Sequence, residues 1–442
     1  MKKKHLFAMF LAAILAIIAI ISTTFIIKSN IFNQIYLYTG LLLMWVLILL
    51  AAVAIFHNDK KIALVGKITV VVMISAMLML TYLFHGLNDS LNNFKQHNDV
   101  IVYSIYAKDE TQIDKVGILE LGNQDYLNNL KEIINSEYPS AEIRTYDSVK
   151  DIDDALKLNK IDTMICLNTY DFIAKNYGSE YVVKQELKLV NRLKFENERS
   201  NKNIGNKYAY VLYLSTNESD YDTGELAFST INKLIVVNKN NLSIDIINIP
   251  YNYYLEQTCL DNKKDIIANA PIYGLDCSIA SLEKHFDTKI DYYLRINLTK
   301  LAEILDKLGG VEVNNPTTFT TDSFVFKNGI LHLDGHNIIE FLTYKDDNSY
   351  RRENEILKAS LKKMYSLGIV KYIGDIDEVL ETNLGNAMIS DLLNLNFKIT
   401  YTTLGSNKAY DYIPTLGTTG NVNFAKEDAL KSVQKLIKTS LE

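Results

Sequence analysis

The sequence predicts an α/β protein with N-terminal transmembrane helices, a small α/β domain, and a larger α/β domain whose central mixed sheet is flanked by helices. The long apolar runs occupy the first 86 residues. Beyond them, apolar strand segments alternate with amphipathic helical segments, which is the pattern of α/β folds. The chain has 442 residues, of which 48% are hydrophobic, and this length suggests two or three domains. We place the boundaries at residues 1–86, 87–200 and 201–442.

Three apolar runs in the first part are long enough to be transmembrane helices. They span residues 6–27, 35–56 and 62–84, and only Lys67 interrupts the third. A helix of about 20 residues crosses a hydrocarbon core of about 30 Å. A cleaved signal peptide is the alternative for the first run, but that run is long and lacks a small-residue cleavage pattern. We therefore predict three membrane-spanning helices.

The lysines that flank these runs predict their orientation. Lys2–Lys4 precede the first run, and Lys60 and Lys61 lie between the second and third, whereas the first loop has only Lys28. Basic residues collect on the cytoplasmic side of membrane helices. The pattern predicts a multi-pass protein of the cell membrane, with a cytoplasmic N-terminus and extracytoplasmic C-terminal domains.

The charge and cysteine content exclude several functional classes. Residues 1–86 carry seven lysines and one aspartate, a net charge of +6, so the remainder carries −12 of the total of −6. An acidic exterior argues against nucleic-acid binding, which needs clustered Lys and Arg. Three cysteines and seven histidines exclude a disulfide scaffold and disfavour a Cys/His metal site. Cys259 and Cys277 could pair across a loop, although the sequence favours free buried thiols.

The small domain reads as alternating strands and helices. A helix over 148–158 begins with Ser148 and has Asp151 three residues later, which resembles a capping box. A polar stretch over 192–207 is predicted to link the two domains. The β-α-β-α-β order predicts a small, mainly parallel sheet. Its predicted strands are 100–106, 115–121, 141–146 and 163–167, and its other helix is 125–135.

The larger domain begins with an apolar strand at 208–215. Two further strands are joined at Lys239-Asn240-Asn241, which is a hairpin pattern. A later helix stops at Gly309-Gly310, where glycine is the usual helix C-terminus. The other predicted strands are 233–238, 242–249, 292–297 and 311–313, and the predicted helices are 278–286, 298–308, 334–342 and 353–367.

Three segments of this domain carry a resemblance to a known family. The run IDYYLRINLTKLAEILDKLGGVEVNNP, residues 290–316, resembles the central motif of the LytR–CpsA–Psr family. LIVVNKNNLSIDIINIP, residues 234–250, is similar to the family's first hairpin, and LDGHNIIEFLTYK, residues 333–345, matches the helix that normally carries its arginines. The resemblance covers about residues 208–440. Three membrane helices followed by a smaller α/β domain also resemble the capsule-associated, CpsA-like branch.

The resemblance implies a fold and a chemistry. Members have an α/β domain of this type and transfer a glycopolymer from a polyprenyl-pyrophosphate carrier to peptidoglycan through a phosphodiester. Arginines hold the pyrophosphate, aspartates hold Mg²⁺, and the lipid lies in an apolar tunnel inside the sheet. The implied partners are a polyprenyl-linked glycan lipid, peptidoglycan and the cytoplasmic membrane. Capsule-synthesis proteins and family paralogues are further candidate partners, and nucleic acid is not one.

The sequence departs from the family at most of its charged positions. Asn217 lies where the family has an aspartate after the first strand. Phe228 and Thr230 stand in place of an arginine and an aspartate, and Tyr251 and Asn252 replace another such pair. No matched aspartate remains, so the magnesium ligands of the family are not kept and no metal site is predicted.

The later charged positions are only partly kept. Ile267 falls at the family's lysine, and Thr343 and Lys345 fall at its paired arginines. Arg352, followed by Glu353, falls at its late Arg-Gln. Phosphoryl transfer depends on positioning and on neutralising charge. Fast family chemistry is therefore not expected of this chain, and no catalytic residue is assigned.

The candidate substrate-binding residues are the remaining cations and two amides. Lys345, Arg351 and Arg352 could grip an anion, or form a solvated basic turn beside the acids at 346 and 347. Arg295 could bind phosphate, although pairing with a nearby acid is favoured. Asp220, Asp222 and Glu225 could replace lost metal ligands, but a charged surface loop is favoured. The full substrate-binding set is Lys345, Arg351, Arg352, Arg295, Asn217 and Asn252.

Two functions stay open at this point. The chain is either a ligase for envelope glycopolymers with a divergent site, or a non-catalytic module that binds carrier-linked glycan or regulates the polysaccharide machinery. Function depends on the site and not on the fold. In both cases the apolar strands at 208–215, 234–237 and 244–249 are predicted to enclose a lipid tunnel.

Overall fold

The computed structural model describes residues 2–29, 34–93, 99–109, 113–121, 124–170, 187–197, 208–218, 225–364, 379–384, 388, 392 and 397–442. The chain divides into two compact units. One contains Met1–Phe94 and parts of 366–396, and the other contains Lys95–Tyr365, Glu378–Asn383 and Phe397–Glu442. Helices and mixed sheets make this an α/β protein, as predicted.

In its described part, the first unit is built mainly from α1 (Lys2–Ser29), α2 (Gln34–Ile55) and α3 (Lys60–Asn93). Each contains a stretch long and apolar enough to cross a membrane. A Cβ on Gly66 would lie 2.8 Å from the backbone of Ala54 and Ile55, so α2 and α3 approach closely at a glycine. Small residues at helix contacts are common in membranes, where lipid provides no hydrophobic drive for association.

The small α/β part of the second unit has a five-stranded sheet of order β3-β2-β4-β1-β5. Ser148 caps the second helix, and its Oγ accepts a hydrogen bond of 3.2 Å from the Asp151 amide. The elements are β1 (Asp99–Ala107), β2 (Lys115–Leu119), α4 (Gln124–Glu137), β3 (Glu142–Tyr146), α5 (Val149–Lys157), β4 (Thr163–Leu167) and β5 (Lys188–Asn197).

This sheet differs from the prediction in two respects. It is mixed, because only β2, β3 and β4 are parallel, whereas β1 runs antiparallel to both β4 and β5. The predicted link at 192–207 is wrong for its first part, since β5 pairs with the whole of β1. Leu193 and Phe195 pack on the core while charged neighbours face solvent. A strand with one charged face reads as a polar link when only its composition is considered.

The larger sheet has six strands in the order β16-β11-β6-β7-β8-β17. β6 is parallel to β11, and β8 is parallel to β17. The β6-β7-β8 meander and the β11-β16 pair are antiparallel. The predicted central mixed sheet is therefore present. Its strands are β6 (Ala209–Asn217), β7 (Asn232–Asn238), β8 (Ser243–Ile249), β11 (Tyr292–Asn297), β16 (Leu380–Thr382) and β17 (Lys398–Thr403).

Helices and short hairpins surround this sheet. The hairpins are β9 (Tyr254–Glu256) with β10 (Lys264–Ile266), β12 (Val311–Asn315) with β15 (Gly329–Leu333), β13 (Phe319–Thr320) with β14 (Val325–Phe326), and β18 (Ser406–Ile413) with β19 (Thr418–Ala425). The helices are α6 (Leu275–Phe286), α7 (Leu298–Lys307), α8 (Ile338–Thr343), α9 (Ser349–Met364) and α10 (Glu427–Leu441).

Local chemistry explains where these helices begin and end. Asn297 caps α7, with its Oδ1 accepting from the Lys300 amide at 2.9 Å, and Gly309 follows the helix with φ +70°. α8 begins four residues later than predicted. Gly335 starts a turn whose amide donates to Asp306 Oδ1 at 2.7 Å, and a Cβ there would lie 2.2 Å from the Ala302 carbonyl oxygen. Residues 365–367 of the predicted 353–367 helix lie outside the described residues.

One face of the larger sheet packs directly against helices. Its apolar side chains join those of α6 and α10 in one cluster. The opposite face of the same strands carries a second apolar set, including Tyr210, Leu212, Ile235, Val237 and Ile246, which is also buried. A lipid tunnel would have to lie along that opposite face. The packed cluster includes Val211, Tyr213, Leu234, Val236, Ile247, Leu275, Leu282, Phe286, Val433 and Ile437.

Cys259 and Cys277 form a disulfide, so the favoured interpretation of free thiols is wrong. Their Cα atoms are 5.4 Å apart. The β9–β10 hairpin brings the 3-10 helix Thr258–Leu260 against α6, where the Thr258 amide donates to Ser281 Oγ at 3.1 Å. Cysteines 18 positions apart are thereby placed in contact, which their spacing alone did not indicate.

Candidate functional site

The candidate site lies at one edge of the larger sheet. β6 ends at Asn217, opposite Asn297 at the end of β11, and β7 begins at Asn232, opposite Ile249 at the end of β8. Carboxyl ends of strands in open α/β sheets are the usual positions of ligand-binding side chains. This edge carries several buried polar groups, including Asn217, Lys233 and Asn248.

Two lysines and a glutamate form the charged centre of this edge. Lys233 Nζ lies 2.7 Å from Glu353 Oε2 and 2.6 Å from Asn248 Oδ1. Lys345 Nζ lies 3.4 Å from the other oxygen of Glu353. The Lys233 and Glu353 side chains are 2% and 4% exposed, whereas that of Lys345 is 21% exposed. The three charged groups sum to +1, and Lys345 is the member that solvent can reach.

Burial and the neighbouring charges shift the pKa values of this group. Desolvation lowers the pKa of Lys233, and the nearby Lys345 acts in the same direction against the attraction of Glu353. Burial raises the pKa of Glu353, but the two ammonium groups outweigh it, so that its pKa is lowered overall. Glu353 faces two cations, which explains why it stays ionised in a buried place.

Two tyrosines flank the lysines. Lys345 Nζ lies 5.8 Å from the ring centroid of Tyr251, and Lys233 Nζ lies 5.9 Å from that of Tyr350. Burial raises the pKa of both phenols, which therefore remain neutral. Aromatic faces attract cations, so the rings help to hold the ammonium groups at this edge.

Glu218 is a second buried carboxylate at the same edge. Its Oε1 accepts hydrogen bonds from Thr216 Oγ1 at 2.9 Å, from the Thr230 amide at 2.9 Å and from Thr230 Oγ1 at 2.5 Å. Within the described part of the chain, its Oε2 has no hydrogen-bond partner. Burial raises the pKa of Glu218, against these hydrogen bonds and the charge of Lys345. Sequence reasoning missed this residue, although an acid directly after Asn217 at a strand end was a usable signal.

The side chain of Arg352, one of the predicted substrate-binding cations, lies within a cage of aromatic rings. Its guanidinium carbon lies 4.4 Å from the centroid of Phe319. Nη1 lies 2.8 Å from Asp346 Oδ1, and Nη2 donates to the Tyr344 carbonyl oxygen at 2.7 Å. Arg352 is 1% exposed, whereas Arg351 beside it is exposed to solvent. The structure therefore does not bring Arg351 and Arg352 together with Lys345 in one anion-binding site.

The other predicted residues also have protein partners. Arg295 Nε lies 2.8 Å from Glu381 Oε2 on the neighbouring strand β16, and both side chains are buried. Asn252 Nδ2 donates to the Asn421 carbonyl oxygen at 2.9 Å, and its Oδ1 accepts from Asn423 Nδ2 at 2.6 Å. Asn217 lies at the polar edge, where its Nδ2 donates to the carbonyl oxygen of residue 225 at 2.8 Å.

The donors in the described part of the chain do not fit the magnesium ion that the family resemblance implies. Among the residues that the structure describes, no three His, Cys, Asp or Glu side chains are grouped to hold a metal. Glu353 gives both oxygens to lysines, and Lys345 acts on Glu218. Glu225 was expected on a charged surface loop, but it is buried, because its backbone bridges to Val100 in β1. Residues 220 and 222, the other candidate ligands, lie outside the described residues.

The positions that lost the family's cations have apolar or backbone roles. Phe228 is 1% exposed and packs in an apolar cluster with the strands of the small sheet. Ile267 is fully buried. Thr343 Oγ1 donates to the Ile339 carbonyl oxygen at 2.8 Å within its own helix. Lys233 supplies a cation at a position for which the resemblance implied none.

Comparisons with known proteins agree with the resemblance. Residues 232–434 match the model of the LytR_cpsA_psr family. A polyisoprenyl-teichoic acid–peptidoglycan teichoic acid transferase TagU of Bacillus cereus is 28% identical over 206 residues, which cover 44% of this chain and 67% of the relative. TagU of Bacillus subtilis is 24% identical over 246 residues, covering 52% and 78%.

Solved structures are similar at lower identity. The crystal structure of Bacillus subtilis TagV is 18% identical, with a TM-score of 0.46, and covers 54% of this chain and 98% of that one. A structure of TagT bound to LI-WTA is also 18% identical, with a TM-score of 0.42, covering 53% and 91%. In each comparison, a large part of this chain lies outside the matched region.

Proposed function

This chain belongs, through residues 232–434, to the LytR_cpsA_psr family, and from that membership we propose that it binds a polyprenyl-pyrophosphate-linked glycopolymer during assembly of the bacterial cell envelope. The observation that supports this most is the partly exposed Lys345, backed by the buried Lys233–Glu353 pair, at the polar edge of the larger sheet. The relatives named above act on a polyisoprenyl-linked teichoic acid and on peptidoglycan. We extend to this chain the class of ligand, a wall or capsule polysaccharide on a lipid carrier.

The geometry favours binding over fast transfer. Arg295 and Arg352 are ion-paired with acids, so the partly exposed cation of the charged centre is the ammonium of Lys345 and not a bidentate guanidinium. A hydrogen bond to a charged group contributes about 1.5–3 kcal/mol. Losing several of them lowers a rate by many factors of ten, at about 1.4 kcal/mol per tenfold. We propose that transfer of the glycan to peptidoglycan by this chain is slow relative to its relatives.

Among the residues that the structure describes, one apolar sheet face is a candidate location for the lipid part of the ligand. The sheet face that carries Tyr210, Leu212, Ile235 and Val237 is apolar and lies opposite the face that packs on α6 and α10. A polyprenyl chain along it would place its pyrophosphate near the polar edge, since the strands end there. Burying apolar surface contributes roughly 25 cal/mol per Å², so the tail supplies affinity while Lys345 places the headgroup.

A non-catalytic role is the second candidate, and the burial of Arg352 favours it. A guanidinium that is 1% exposed and caged by three aromatic rings cannot stabilise charge on a transferred phosphoryl group. In that case the chain would bind carrier-linked glycan and present it to active paralogues or capsule-synthesis proteins, or it would regulate those proteins. A transfer assay separates the two roles.

The first prediction tests the ligand and the activity together. In the full-length protein in detergent, Lys345→Ala should weaken binding of undecaprenyl pyrophosphate by roughly tenfold to a hundredfold, because a charge-assisted contact is lost. The fold should persist, since Glu353 keeps Lys233 as its partner. Arg351→Ala is the matched control, because this arginine is exposed and should leave affinity unchanged. Equal binding by wild type and Lys345→Ala would contradict the proposed site.

Turnover is measured on the same samples with Mg²⁺ and a peptidoglycan acceptor. Slow or absent transfer with retained binding is the expected result. Turnover as fast as that of TagU, lost in Lys345→Ala but kept in the Arg351→Ala control, would show that the site has been rebuilt for catalysis and that our rate proposal is wrong.

We also propose the orientation and the division of the chain. Residues 1–86 form the membrane anchor with the N-terminus in the cytoplasm, and 87–200 and 201–442 form extracytoplasmic domains. The flanking lysines support this, and so does the disulfide between Cys259 and Cys277, because disulfides persist in oxidising compartments outside the cytoplasm.

The second prediction tests this orientation. A tag after Glu442 should be cleaved by protease added to intact, wall-stripped cells, whereas a tag before Met1 should be protected. The measurement is immunoblotting of both tags before and after lysis, with lysis as the control that exposes every tag. A C-terminal tag that survives in intact cells would place the α/β domains inside the cell.

A further inference from the structure

The small sheet has a topological feature that marks ligand sites in α/β domains. Its parallel strands have the order β3-β2-β4, so the chain passes from β2 to β3 on one side and then to β4 on the other. In open α/β sheets, ligands bind outside the carboxyl ends of the strands at such a switch point. The question is therefore what lies at the carboxyl ends of β2, β3 and β4.

A segment of the larger domain occupies the end of β4. Since β1 is antiparallel to β4, its first residues lie beside that end, where the Asn168 amide donates to the Val102 carbonyl oxygen at 2.8 Å. Leu226 donates its amide to the Val100 carbonyl oxygen at 2.5 Å. Leu226 and Phe228 are 2% and 1% exposed, in the same apolar cluster as the small domain's own core.

A second segment of the larger domain occupies the end of β3. The 3-10 helix Pro414–Leu416 is followed by Gly417, whose φ is +68°. A Cβ at this glycine would lie 2.0 Å from the Oγ of Ser148, the residue that caps α5 directly after β3. Leu416 is buried in the shared cluster. The carboxyl edge of the small sheet is thus covered by two separate parts of the same polypeptide.

The first of these segments leads straight into the candidate site. Two residues after Phe228, Thr230 donates both its amide and its hydroxyl to Glu218 Oε1. Ser229 Oγ accepts from the Thr216 amide at 3.1 Å, and the Ile231 amide donates to Thr216 Oγ1 at 3.1 Å. Whatever holds Leu226 and Phe228 therefore also determines where Glu218 lies.

We propose that the small α/β domain, residues 99–197, is a positioning domain that uses its ligand-binding edge to hold the 225–230 segment as an internal ligand, and so fixes Glu218 at the site. The arginine that the resemblance implies at position 228 would not fit this arrangement, because Phe228 is 1% exposed in an apolar cluster. Any change that loosens the packing around Phe228 therefore also weakens the hydrogen bonds of Thr216, Thr230 and Ile231. This inference stands on contacts within the protein, and only its binding readout rests on the proposed function.

The test compares two cavity-forming variants of the full-length protein. Phe228→Ala removes the anchor, and Leu130→Ala removes an equally buried side chain of the same cluster that belongs to α4 and not to the 225–230 segment. Hydrogen exchange is measured at the amides of Thr216, Thr230 and Ile231, at temperatures where all variants are folded. We expect exchange at least about fivefold faster in Phe228→Ala, near wild type in Leu130→Ala, and restored by Phe228→Leu. Equal acceleration in both alanine variants would show that the site follows global stability only, and would overturn the proposal.

Affinity for undecaprenyl pyrophosphate is the second readout. Phe228→Ala should bind it at least about fivefold more weakly, and Leu130→Ala should bind it as wild type does. If wild type fails to bind while the exchange difference holds, the proposed function fails and the positioning role stands. If wild type binds and the two alanine variants neither differ in exchange nor in affinity, the positioning role fails and the proposed function stands.

Discussion

Replacing Phe228 by arginine, the residue that the family resemblance implies at this position, is expected to destabilise strongly the unit that contains residues 95–365 and not to create a phosphate-binding site. Phe228 is 1% exposed among apolar side chains of β1, β2 and β4. A buried charge without a partner costs about 3–5 kcal/mol, and the whole stability of a domain is about 5–15 kcal/mol. The expected outcome is a melting temperature lower by roughly 5–15 °C, or loss of a cooperative transition.

The measurement is thermal or denaturant unfolding of the full-length protein in detergent. Thr343→Arg is the matched control, because it introduces an arginine that the resemblance implies at a half-buried position whose hydroxyl donates within its own helix. It should change the free energy of unfolding by less than about 1 kcal/mol. A Phe228→Arg protein that melts at the wild-type temperature would show that position 228 can reach solvent, and our account of the lost arginine would then be wrong.

The elements that sequence patterns predicted well are those determined by neighbouring residues. The three apolar helices were predicted from the length of their runs and the near absence of charge alone. The strand Tyr292–Asn297 and the helix after it were predicted almost to the residue, because Asn297 caps the helix and Gly309 ends it. The start of α5 was predicted for the same reason, because Ser148 caps this helix and accepts a hydrogen bond from the Asp151 amide. Capping and periodicity act over a few residues, so one sequence carries them in full.

The missed features depend on residues far apart in the chain. β5 reads as a charged link until β1 is known to lie beside it. Lys233 and Glu353 are 120 positions apart, and no local pattern indicates that a lysine at the start of an apolar strand meets a glutamate on α9. The position of Glu218 after a strand was a usable signal, but its burial depends on hydrogen bonds from Thr230, 12 positions later. Tertiary contacts decide these cases.

The fate of the cations shows the same limit within a single motif. Lys345 and Arg352 both kept a positive charge where the family has one, so they carried equal weight in the sequence. Packing separates them, because α9 turns Arg352 onto Phe319 while Lys345 remains beside Tyr251. A matched residue type thus predicts available charge only when its surroundings are also matched.

The buried Lys233–Glu353 pair leads to the second large effect. Glu353→Leu removes a carboxylate that is 4% exposed and leaves the ammonium of Lys233, 2% exposed, with Asn248 as its remaining acceptor. Breaking such a pair from one side costs about 3–5 kcal/mol, because an uncompensated charge stays buried. Replacing both partners by apolar residues of similar volume is near neutral or stabilising. Glu353→Leu should therefore be strongly destabilising, and Lys233→Met/Glu353→Leu should regain most of the loss.

The pH dependence of unfolding distinguishes this pair from a simple packing contact. The pKa of Glu353 is lowered in the folded state, so its contribution is present above the unfolded value of about 4.3 and is lost as the pH falls through the folded pKa. The pKa of Lys233 is lowered too, and in the alkaline window between its folded and unfolded values the unfolded chain binds more protons, so stability rises with pH there. In the double variant, the free energy of unfolding should depend less on pH in both the acidic and the alkaline range. Lys345→Ala is the control that keeps the pair, and because that lysine is 21% exposed it should cost no more than about 1 kcal/mol. If the single Glu353→Leu protein were as stable as the double variant at every pH, Lys233 would be able to reach water, and the charged centre on which the proposed ligand site rests would be a surface contact.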